Sequence, residues 1–406
     1  MRETKFKQTE VGMIPSDWEV KCLGELCKNI SSGKNKIRIN SGKYAVYGST
    51  GIIGHCDKFC YEGENILIAR VGANAGFLNK AVGKYDVSDN TLVVEQLRAN
   101  TNFILEYLKF YNLNKLVFGS GQPLITGGQV KALQIALPPY DEQQKIATAL
   151  SDIDNLITTT EKLIAKKKAL KQGAMQTLLS GKMRIQNGKW IKTTHFKQTE
   201  LGPIPQDWEV KKLGSLCSLY GRIGFRGYTR KDLVGKHQGA ISFSPSDIYD
   251  QKIDYSNCTY ISLFKYEESP EIKVHNGDIL FGKTASIGKC ALIENLTEKA
   301  TINPQFVLIK NFKCDNHYLY YQLIDKPFQT NIWSICGGST IPTMSQEKLK
   351  QQLIPCPPSL EEQTAIATVL SDMDTEIATL ETKLAKYRQL KTGMMQQLLT
   401  GKVRLV

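Results

Sequence analysis

Two long stretches of the chain carry apolar residues at helical spacing. They run from about residue 142 to 180 and from about 362 to 400, and their apolar positions are separated alternately by four and three residues. This spacing predicts two long helices that pack through one apolar stripe, as in a coiled coil. The residues expected in the stripe are Ile146, Leu150, Ile153, Ile157, Ile164, Leu170 and Leu178 in the first helix, and Ile366, Leu370, Met373, Ile377, Leu380, Leu384, Leu390 and Leu398 in the second.

The residues before and after each stretch also agree with this prediction. A Pro-Pro pair precedes each helix, and Gly181 and Gly401 stand where a helix C-terminus favours a left-handed residue. Gly173 and Gly393 recur inside the helices, although glycine costs about 1 kcal/mol in a helix interior. They indicate either a close backbone approach or kink, or a frayed last turn.

The segments between these stretches have a different pattern. Short apolar runs bounded by Gly, Asn or Asp predict strands at 66–69, 91–94, 239–243 and 305–309. Helices are expected to follow at 102–111 and 316–323. The intervening segments are therefore predicted to form mixed, strand-rich domains.

The chain also repeats itself. Residues 6–27 align with 196–217 without a gap at 17 of 22 identical positions, and residues 142–184 align with 362–404 at 24 of 43. Such similarity indicates a tandem duplication. The segments between the repeated blocks differ in length and share only a skeleton of matching positions. We therefore predict an α+β protein with two unlike strand-rich domains, joined by two long antiparallel helices in a pseudo-twofold arrangement.

Composition and charge narrow the function. The 406 residues include 52 Lys and Arg against 39 Asp and Glu, a formal charge of +13 that favours a polyanionic partner. A hydrophobic content of 41% and a charged content of 22% exclude wholesale disorder. The sequence has no signal-peptide pattern and no run of 18 apolar residues, and its ten cysteines are scattered. We expect a cytoplasmic protein that does not enter a membrane.

The repeated motifs carry a family resemblance. The Gly-x-Ile-Pro-x-Asp-Trp-Glu-Val block, the Pro-Pro…Glu-Gln…Ile-Ala…Leu-Ser-Asp helix opening and the Leu-Leu-(Ser/Thr)-Gly-Lys-x-Arg ending each occur twice. Together they resemble the specificity subunit of type I restriction–modification enzymes. Residues 47–51 (Tyr-Gly-Ser-Thr-Gly) and 119–123 (Gly-Ser-Gly-Gln-Pro) also resemble its target-recognition domains. The resemblance spans essentially the whole chain.

The resemblance implies a DNA-reading subunit without catalytic residues of its own. Each insert would read one half of a gapped, asymmetric target in double-stranded DNA. The paired helices would act as a ruler and dock two modification subunits, to which restriction subunits are added. S-adenosylmethionine, ATP and Mg would then belong to the partner subunits, with no cofactor in this chain. The implied segments are a first recognition domain at 1–140, a helix at 141–184, a linker with the second recognition domain at 185–358, and a helix at 359–406.

Residues that read bases should carry hydrogen-bonding side chains on loops or at element ends, since Arg and Lys suit guanine and Asn and Gln suit adenine. Arg70 and Lys283 are the strongest candidates, because each directly follows a matched Ile-Leu strand. The full set of candidates is Tyr47, Ser49, Thr50, Arg70, Asn74 and Gln122 in the first insert, and Arg222, Arg226, Tyr228, Arg230, Ser244, Lys283, Ser286 and Thr340 in the second.

A self-contained enzyme is the alternative. Residues 277–284 match the P-loop pattern of an ATPase, but the four intervening residues form a strand-like run and the duplicate lacks the motif. Residues 137–140 (Leu-Pro-Pro-Tyr) resemble the motif of adenine methyltransferases, but leucine replaces its polar residue. His55, Cys56 and Cys60 lack a second ligand pair, so no metal site is predicted.

Overall fold

The structure is a computed structural model that describes residues 5–36, 41–118, 123–186, 188–336 and 343–406. Two of the predicted DNA-reading residues, Gln122 and Thr340, lie outside the described residues. The chain divides into two units, one formed by residues 1–162 with 381–406 and the other by residues 163–380. Each long helix contributes one part to each unit, and the units are described separately.

The first unit contains the elements of the first insert and the blocks that flank it. Its strands are β1 (Phe6–Thr9), β2 (Gly12–Pro15), β3 (Glu19–Cys22), β4 (Asn29–Ser32), β5 (Tyr44–Gly48), β6 (Gly51–Cys56), β7 (Tyr61–Glu62), β8 (Asn65–Ala69), β9 (Leu78–Ala81), β10 (Lys84–Val87), β11 (Thr91–Glu95) and β12 (Gln134–Leu137). Its helices are α1 (Thr101–Tyr111), α2 (Gly127–Lys131) and the first part of α3 (Tyr140–Leu178).

Two four-stranded sheets form most of this unit. One has the antiparallel order β4-β11-β8-β9, and the other has the order β6-β5-β10-β7 with β5 and β10 parallel. β8 is buried along its whole length, so both of its faces are covered. α1 begins at Asn100, whose side chain accepts a hydrogen bond from Phe103 N, and it packs its apolar face on the first sheet.

The second unit repeats this plan with additions. Its strands are β13 (Met183–Gln186), β14 (Lys189–Lys192), β15 (Phe196–Thr199), β16 (Gly202–Pro205), β17 (Glu209–Lys212), β18 (Ser218–Tyr220), β19 (Leu233–Val234), β20 (Ala240–Phe243), β21 (Ile248–Tyr249), β22 (Lys252–Ile253), β23 (Tyr260–Ile261), β24 (Ile279–Gly282), β25 (Cys290–Leu292), β26 (Ala300–Ile302), β27 (Phe306–Lys310) and β28 (Leu353–Cys356). Its helices are α4 (Leu213–Leu216), α5 (Leu263–Glu267), α6 (Asn316–Ile324), α7 (Lys326–Cys336), α8 (Gln346–Lys350) and part of α9 (Leu360–Leu398).

One sheet of the second unit has the strand order of the first unit, and the other shares its central part. The order β18-β27-β24-β25 repeats β4-β11-β8-β9 strand for strand. In the other sheet, the parallel pair of β20 and β26 repeats the pair of β5 and β10, but the order β19-β23-β20-β26 differs from β6-β5-β10-β7 at both edges. The predicted strands at 66–69, 91–94, 239–243 and 305–309 and the predicted helices at 102–111 and 316–323 are confirmed within one residue or two. The inserts therefore share a central topology, of which their sequences show only a few matching positions.

The two long helices are present, and each has 39 residues. At 1.5 Å per residue each is about 58 Å long. Most of the expected stripe is buried or half-buried, but Leu170 and Leu390 are 49% and 53% exposed, so their placement in the stripe is corrected. A straight helix repeats every 3.6 residues rather than every 3.5, and the stripe drifts accordingly. The next residues, Lys171 and Lys391, face the neighbouring helix instead.

Ion pairs establish the antiparallel pairing of the helix segments inside each unit. In the first unit, Lys391 binds Asp154 at 2.7 Å. In the second unit, Lys171 binds Asp374 at 2.6 Å and Lys167 binds Glu376 at 2.7 Å. Because rising residue numbers on one segment meet falling numbers on the other, the paired segments run in opposite directions.

In the first unit, residues from the two repeated blocks form a cluster of ion pairs and packed side chains. Arg404, beyond the end of α9, binds both Glu142 and Asp17 at 2.7 Å, and Trp18 Nε1 donates to Glu142 Oε2 at 3.1 Å. Gly401 has a φ of +70°, as predicted for a helix end, and a Cβ there would overlap Pro15. We call Pro15, Asp17, Trp18, Glu142, Gly401 and Arg404 the first closing cluster.

The second unit contains the equivalent cluster. Arg184, beyond the end of α3, binds Glu362 at 2.6 Å and Asp207 at 2.8 Å. Gly181 also has a φ of +70°, and a Cβ on it would overlap Pro205. The second closing cluster is Pro205, Asp207, Trp208, Glu362, Gly181 and Arg184. The two repeated sequence blocks are therefore the two sides of one packing cluster, which each unit contains once.

Candidate nucleic-acid interface

Three separate segments of the first insert meet at the turn between β10 and β11. The carbonyl of Asn90 in this turn accepts hydrogen bonds from Arg70 N at 3.0 Å and from Ser49 Oγ at 3.4 Å. The carbonyl of Tyr47 accepts from Ser88 N at 2.9 Å. The structure therefore brings Tyr47, Ser49 and Arg70 to one edge of the domain, as expected if they act together.

The Arg70 guanidinium has unused hydrogen-bonding capacity. Its Nε is buried and has no hydrogen-bond partner among the described residues, and its Nη1 makes only a 3.5 Å contact with the carbonyl of Asp89. A buried donor without an acceptor is costly in a folded protein, and a bound water, ion or ligand can supply the acceptor. Arg70 is thus well placed to bind an acceptor outside the chain.

The remaining candidates of the first insert lie on exposed turns nearby in the chain. Thr50 is exposed between β5 and β6, and Asn74 is exposed in the 3-10 turn Gly72–Asn74 that follows Arg70. Tyr47 is half-buried, with its ring 5.4 Å from that of Tyr85.

The second unit builds the same edge with different side chains. Lys283 takes the position of Arg70, because its N–H donates to the carbonyl of Gln305 at 2.8 Å and its carbonyl accepts from Met344 N at 2.8 Å. In the first unit, Arg70 makes the corresponding bonds with Asn90 and Ile125. The equivalence of Arg70 and Lys283 that their sequence positions suggested is present in the backbone pairing.

Lys283 lies in a crowded, polar surrounding. Its Nζ would be 3.4 Å from a Cβ built on Gly221, and the same Cβ would overlap the side chain of Gln346. Any larger residue at Gly221, directly after β18, would require the Gln346 side chain to move. Partial burial lowers the pKa of the Lys283 ammonium from its ordinary value, because the charged form loses hydration. An anionic ligand at this position would restore part of the lost stabilisation of the charge.

Arg222 differs from the other candidates because it is only 5% exposed. Its Nε donates to the carbonyl of Ile302, its Nη2 to Thr301 Oγ1 and its Nη1 to the carbonyl of Arg226, at 2.9, 3.0 and 3.2 Å. A base contact by this side chain would require some of these bonds to break.

The other candidates of the second insert lie on the surface or partly exposed. Arg226 is half-buried, with its Nη1 3.6 Å from Glu271 Oε1, and Arg230 is exposed. Tyr228 accepts a hydrogen bond from Ser242 Oγ at 3.0 Å. Ser244 and Ser286 are half-buried, and Ser244 precedes the 3-10 turn Pro245–Asp247.

Sequence reasoning missed one pair of polar side chains. Asn90 and Gln305 occupy equivalent places at the ends of the turns that bond Arg70 and Lys283, and both are half-buried. Amide side chains suit adenine, so these residues belong among the candidates. The signal was available in the sequence, since each directly precedes a matched apolar strand.

The structure also excludes the P-loop reading of residues 277–284. Ile279–Gly282 form strand β24 in the middle of a sheet, and no helix follows Lys283 before β25. A phosphate cradle needs a loop that leads into a helix N-terminus, so this segment does not form one. Leu137 ends β12 and Tyr140 begins α3, which accounts for the second motif as a strand-to-helix connection.

Comparisons with known proteins agree with this geometry. The sequence model of a family described as "Type I restriction modification DNA specificity domain" matches residues 15–169 and 205–387. The type I restriction enzyme MjaVIII specificity subunit of Methanocaldococcus jannaschii is 27% identical, over 100% of this chain and 97% of that protein. The EcoDI specificity subunit of Escherichia coli is 21% identical, over 97% of this chain and 90% of its own length.

Solved structures share the fold. The S subunit of a type I restriction–modification system from M. genitalium superposes with a TM-score of 0.62 at 15% identity, covering 97% of this chain and 98% of that one. A chain from a structure titled for complex assembly and conformational transition of the type I R-M system gives a TM-score of 0.55 at 15% identity, with 96% and 99% covered. Among the described residues, no helix is long and apolar enough to span a membrane.

Proposed function

The chain belongs to the family of type I restriction–modification DNA specificity domains, and on this basis we propose that it is the specificity subunit of such a complex. Each unit reads one half of a gapped, asymmetric sequence in double-stranded DNA. The reading domains are residues 1–140 and 185–358. The chain supplies recognition, and the chemistry takes place on its partners.

One observation carries this proposal. The two units present the same backbone positions at the same edge, but with different side chains: Arg70 and Asn90 in the first, Lys283 and Gln305 in the second. Side chains of these types distinguish guanine and adenine in the major groove. Two domains that recognise different half-sites require equivalent backbone positions with different side chains.

The helices supply the second part of the proposal. The antiparallel pairing inside each unit supports a pseudo-twofold arrangement of two reading domains along a coiled coil that sets the spacer between half-sites. Two modification subunits dock on the repeated segments, residues 141–184 and 359–406, and restriction subunits join them. The S-adenosylmethionine, ATP and Mg that these reactions need are bound by the partners, and this chain contributes no catalytic residue.

Methylation mapping tests the function directly. Cells that contain the chain and its modification subunits are expected to show one gapped, methylated DNA motif, which disappears when the gene for this chain is deleted and returns when it is restored. The measurement is genome-wide detection of modified bases. An unchanged methylation pattern after deletion would contradict the proposal.

Alanine at Lys283 is expected to weaken binding of the complete target by roughly 1–3 kcal/mol, because one base or phosphate contact is lost. Base preference should relax only in the half-site read by the second unit, and Arg70→Ala should do the same for the other half. Competition binding with duplexes mutated in either half measures both effects.

Lys211→Ala is the matched control for this pair of variants. It removes the same charge from the same unit, but Lys211 is a half-buried residue of β17 paired with Glu209 at 3.1 Å. Its effect on base preference should be negligible. Relaxation of both halves by Lys283→Ala would show that Lys283 serves general affinity and not half-site readout.

A further inference from the structure

Arg222 is a buried cation held entirely by uncharged groups. Its three hydrogen-bond acceptors are the carbonyls of Ile302 and Arg226 and the hydroxyl of Thr301. Thr301 in turn donates to the carbonyl of Ile272 at 3.2 Å. Half-buried arginines elsewhere in the chain, such as Arg184 and Arg404, bind carboxylates. Arg222 therefore differs from them because it binds two backbone carbonyls and a hydroxyl, and they bind carboxylates.

The backbone held by Arg222 is the segment that carries the predicted DNA-binding side chains. Arg222 Nη1 binds the carbonyl of Arg226, and its guanidinium lies 5.3 Å from the centre of the Tyr228 ring. Ser242 Oγ, itself buried on β20, holds the Tyr228 hydroxyl at 3.0 Å. Residues 223–228 are thus attached to the sheet through the Arg222 guanidinium and Ser242, in addition to the contact of Arg226 with Glu271 at 3.6 Å.

The far end of this segment is fixed separately. Thr229 and Asp232 form a reciprocal capping box, and Ser262 N donates to the carbonyl of Asp232 at 2.9 Å. Between these two anchors the chain presents Arg226, Tyr228 and the exposed Arg230. Loss of the Arg222 anchor would leave the first half of the segment without its attachment to β26.

Among the described residues of the first unit, no arginine takes this place. By the strand registers, Gly33 occupies the position of Arg222, since Ser31 pairs with Val93 as Tyr220 pairs with Leu308. A Cβ on Gly33 would overlap the carbonyl of Val87, the counterpart of Ile302. At this position the first unit packs backbone against backbone, whereas the second unit places the guanidinium of Arg222 there. The role of Arg222 therefore belongs to the second half-site alone.

We infer that Arg222 is a positioning residue of the second recognition domain, which fixes residues 223–228 so that Arg226 and Tyr228 meet the DNA while Arg222 itself makes no contact with it. This inference rests on the proposed function, because it assumes that the second unit reads a half-site. The fork geometry is essential, since a guanidinium serves three separate acceptors in fixed directions and an ammonium does not reproduce that arrangement.

The test is selection from a duplex library with a randomised 30-base-pair centre, using the full-length chain in complex with its modification subunits. Arg222→Met and Arg222→Lys are each expected to lower base preference about tenfold in one half-motif and less than twofold in the other, given that a mismatched pair commonly costs a factor of that size. Ser242→Ala should lower the same half about threefold. Amide hydrogen exchange at 223–228 should become faster in all three.

Arg98→Met is the control, because it removes an exposed arginine of the first unit. In this variant, base preference in both half-motifs should remain within twofold of that of the wild type. Arg222→Lys with full wild-type preference would overturn the inference, since lysine can itself contact guanine but cannot make the fork. If Arg222→Met fails to fold, Ser242→Ala provides the test. Wild-type base preference in the second half-motif, together with wild-type amide exchange at 223–228, would then overturn the inference. A wild-type complex that selects no two-part motif would instead overturn the proposed function.

Discussion

Replacing Arg404 by alanine is expected to destabilise the first unit by about 3–5 kcal/mol, because it leaves a buried carboxylate without its partner. Glu142 is only 3% exposed, and both of its oxygens bind the Arg404 guanidinium at 2.7 Å. Trp18 donates one further hydrogen bond, which does not replace the lost positive charge. Calorimetric unfolding of the full chain measures the effect.

Arg388→Ala is the control in the same unit. Arg388 binds Glu161 at 2.7 Å, but its side chain is 60% exposed, and exposed pairs contribute about 0–1 kcal/mol. If the two alanine variants lower the unfolding temperature equally, the first closing cluster does not stabilise the unit in the way described. Arg184→Ala should repeat the large effect in the second unit, because Glu362 is equally buried there.

The helices and their ends were predictable because their signals are local. A 4-3 spacing and a terminal glycine report on neighbouring turns of one helix, and Gly181 and Gly401 have the left-handed φ that the sequence predicted. Leu170 and Leu390 were misplaced because a period of 3.5 was extended over a helix that repeats every 3.6 residues. Leu178 and Leu398, farther along the two helices, are buried again, so the mismatch affects one expected position in each helix.

The closing clusters were not predictable, because nothing in the spacing of the repeated blocks indicates that they touch. Asp17 and Arg404 belong to different blocks at opposite ends of the chain and meet only through the fold. The sequence predicts that Arg222 binds DNA, and its burial could not be predicted for a related reason. A charged side chain in a glycine-rich segment looks exposed, and only the structure shows its three internal acceptors.

The attachment of each insert to its helix shows where the duplicated units have diverged. In the first unit Lys391 lies between Asp154 at 2.7 Å and Glu106 at 3.3 Å. In the second unit, the lysine and aspartate recur as Lys171 and Asp374, but Tyr321 replaces the glutamate and donates its hydroxyl to Asp374 at 2.8 Å. The long helices thus keep one constant pair, and each insert completes it with its own residue.

A second constant contact reinforces this attachment. Gln143 near the start of α3 accepts a hydrogen bond from Asn100 N, and Gln363 near the start of α9 accepts one from Asp315 N, both at 2.9 Å. Asn100 and Asp315 cap the equivalent helices α1 and α6. Each insert is therefore fixed to the long helices at one helix cap and at the constant lysine–aspartate pair, through Glu106 in the first unit and Tyr321 in the second. This arrangement allows the reading edge to change without loss of the scaffold.

Gly173 inside α3 and Gly181 just beyond its end should respond to alanine in opposite directions. At Gly181, alanine is expected to cost about 2–5 kcal/mol, because a left-handed φ of +70° disfavours any Cβ and the added carbon would overlap Pro205. At Gly173, a Cβ would meet no heavy atom of the described residues within 4 Å, so the sequence-based expectation of a close backbone approach is wrong.

Gly173→Ala should instead stabilise the chain by about 0.5–1 kcal/mol, since alanine loses less conformational entropy than glycine in a helix. Denaturant unfolding of both variants beside wild type measures the pair. The substitution is chemically identical, so the difference between the two variants reports on the left-handed φ and the Pro205 contact of Gly181 and on the helix entropy gained at Gly173. If Gly181→Ala proved as mild as Gly173→Ala, the contact of Gly181 with Pro205 and Trp208 would not be what ends the helix there.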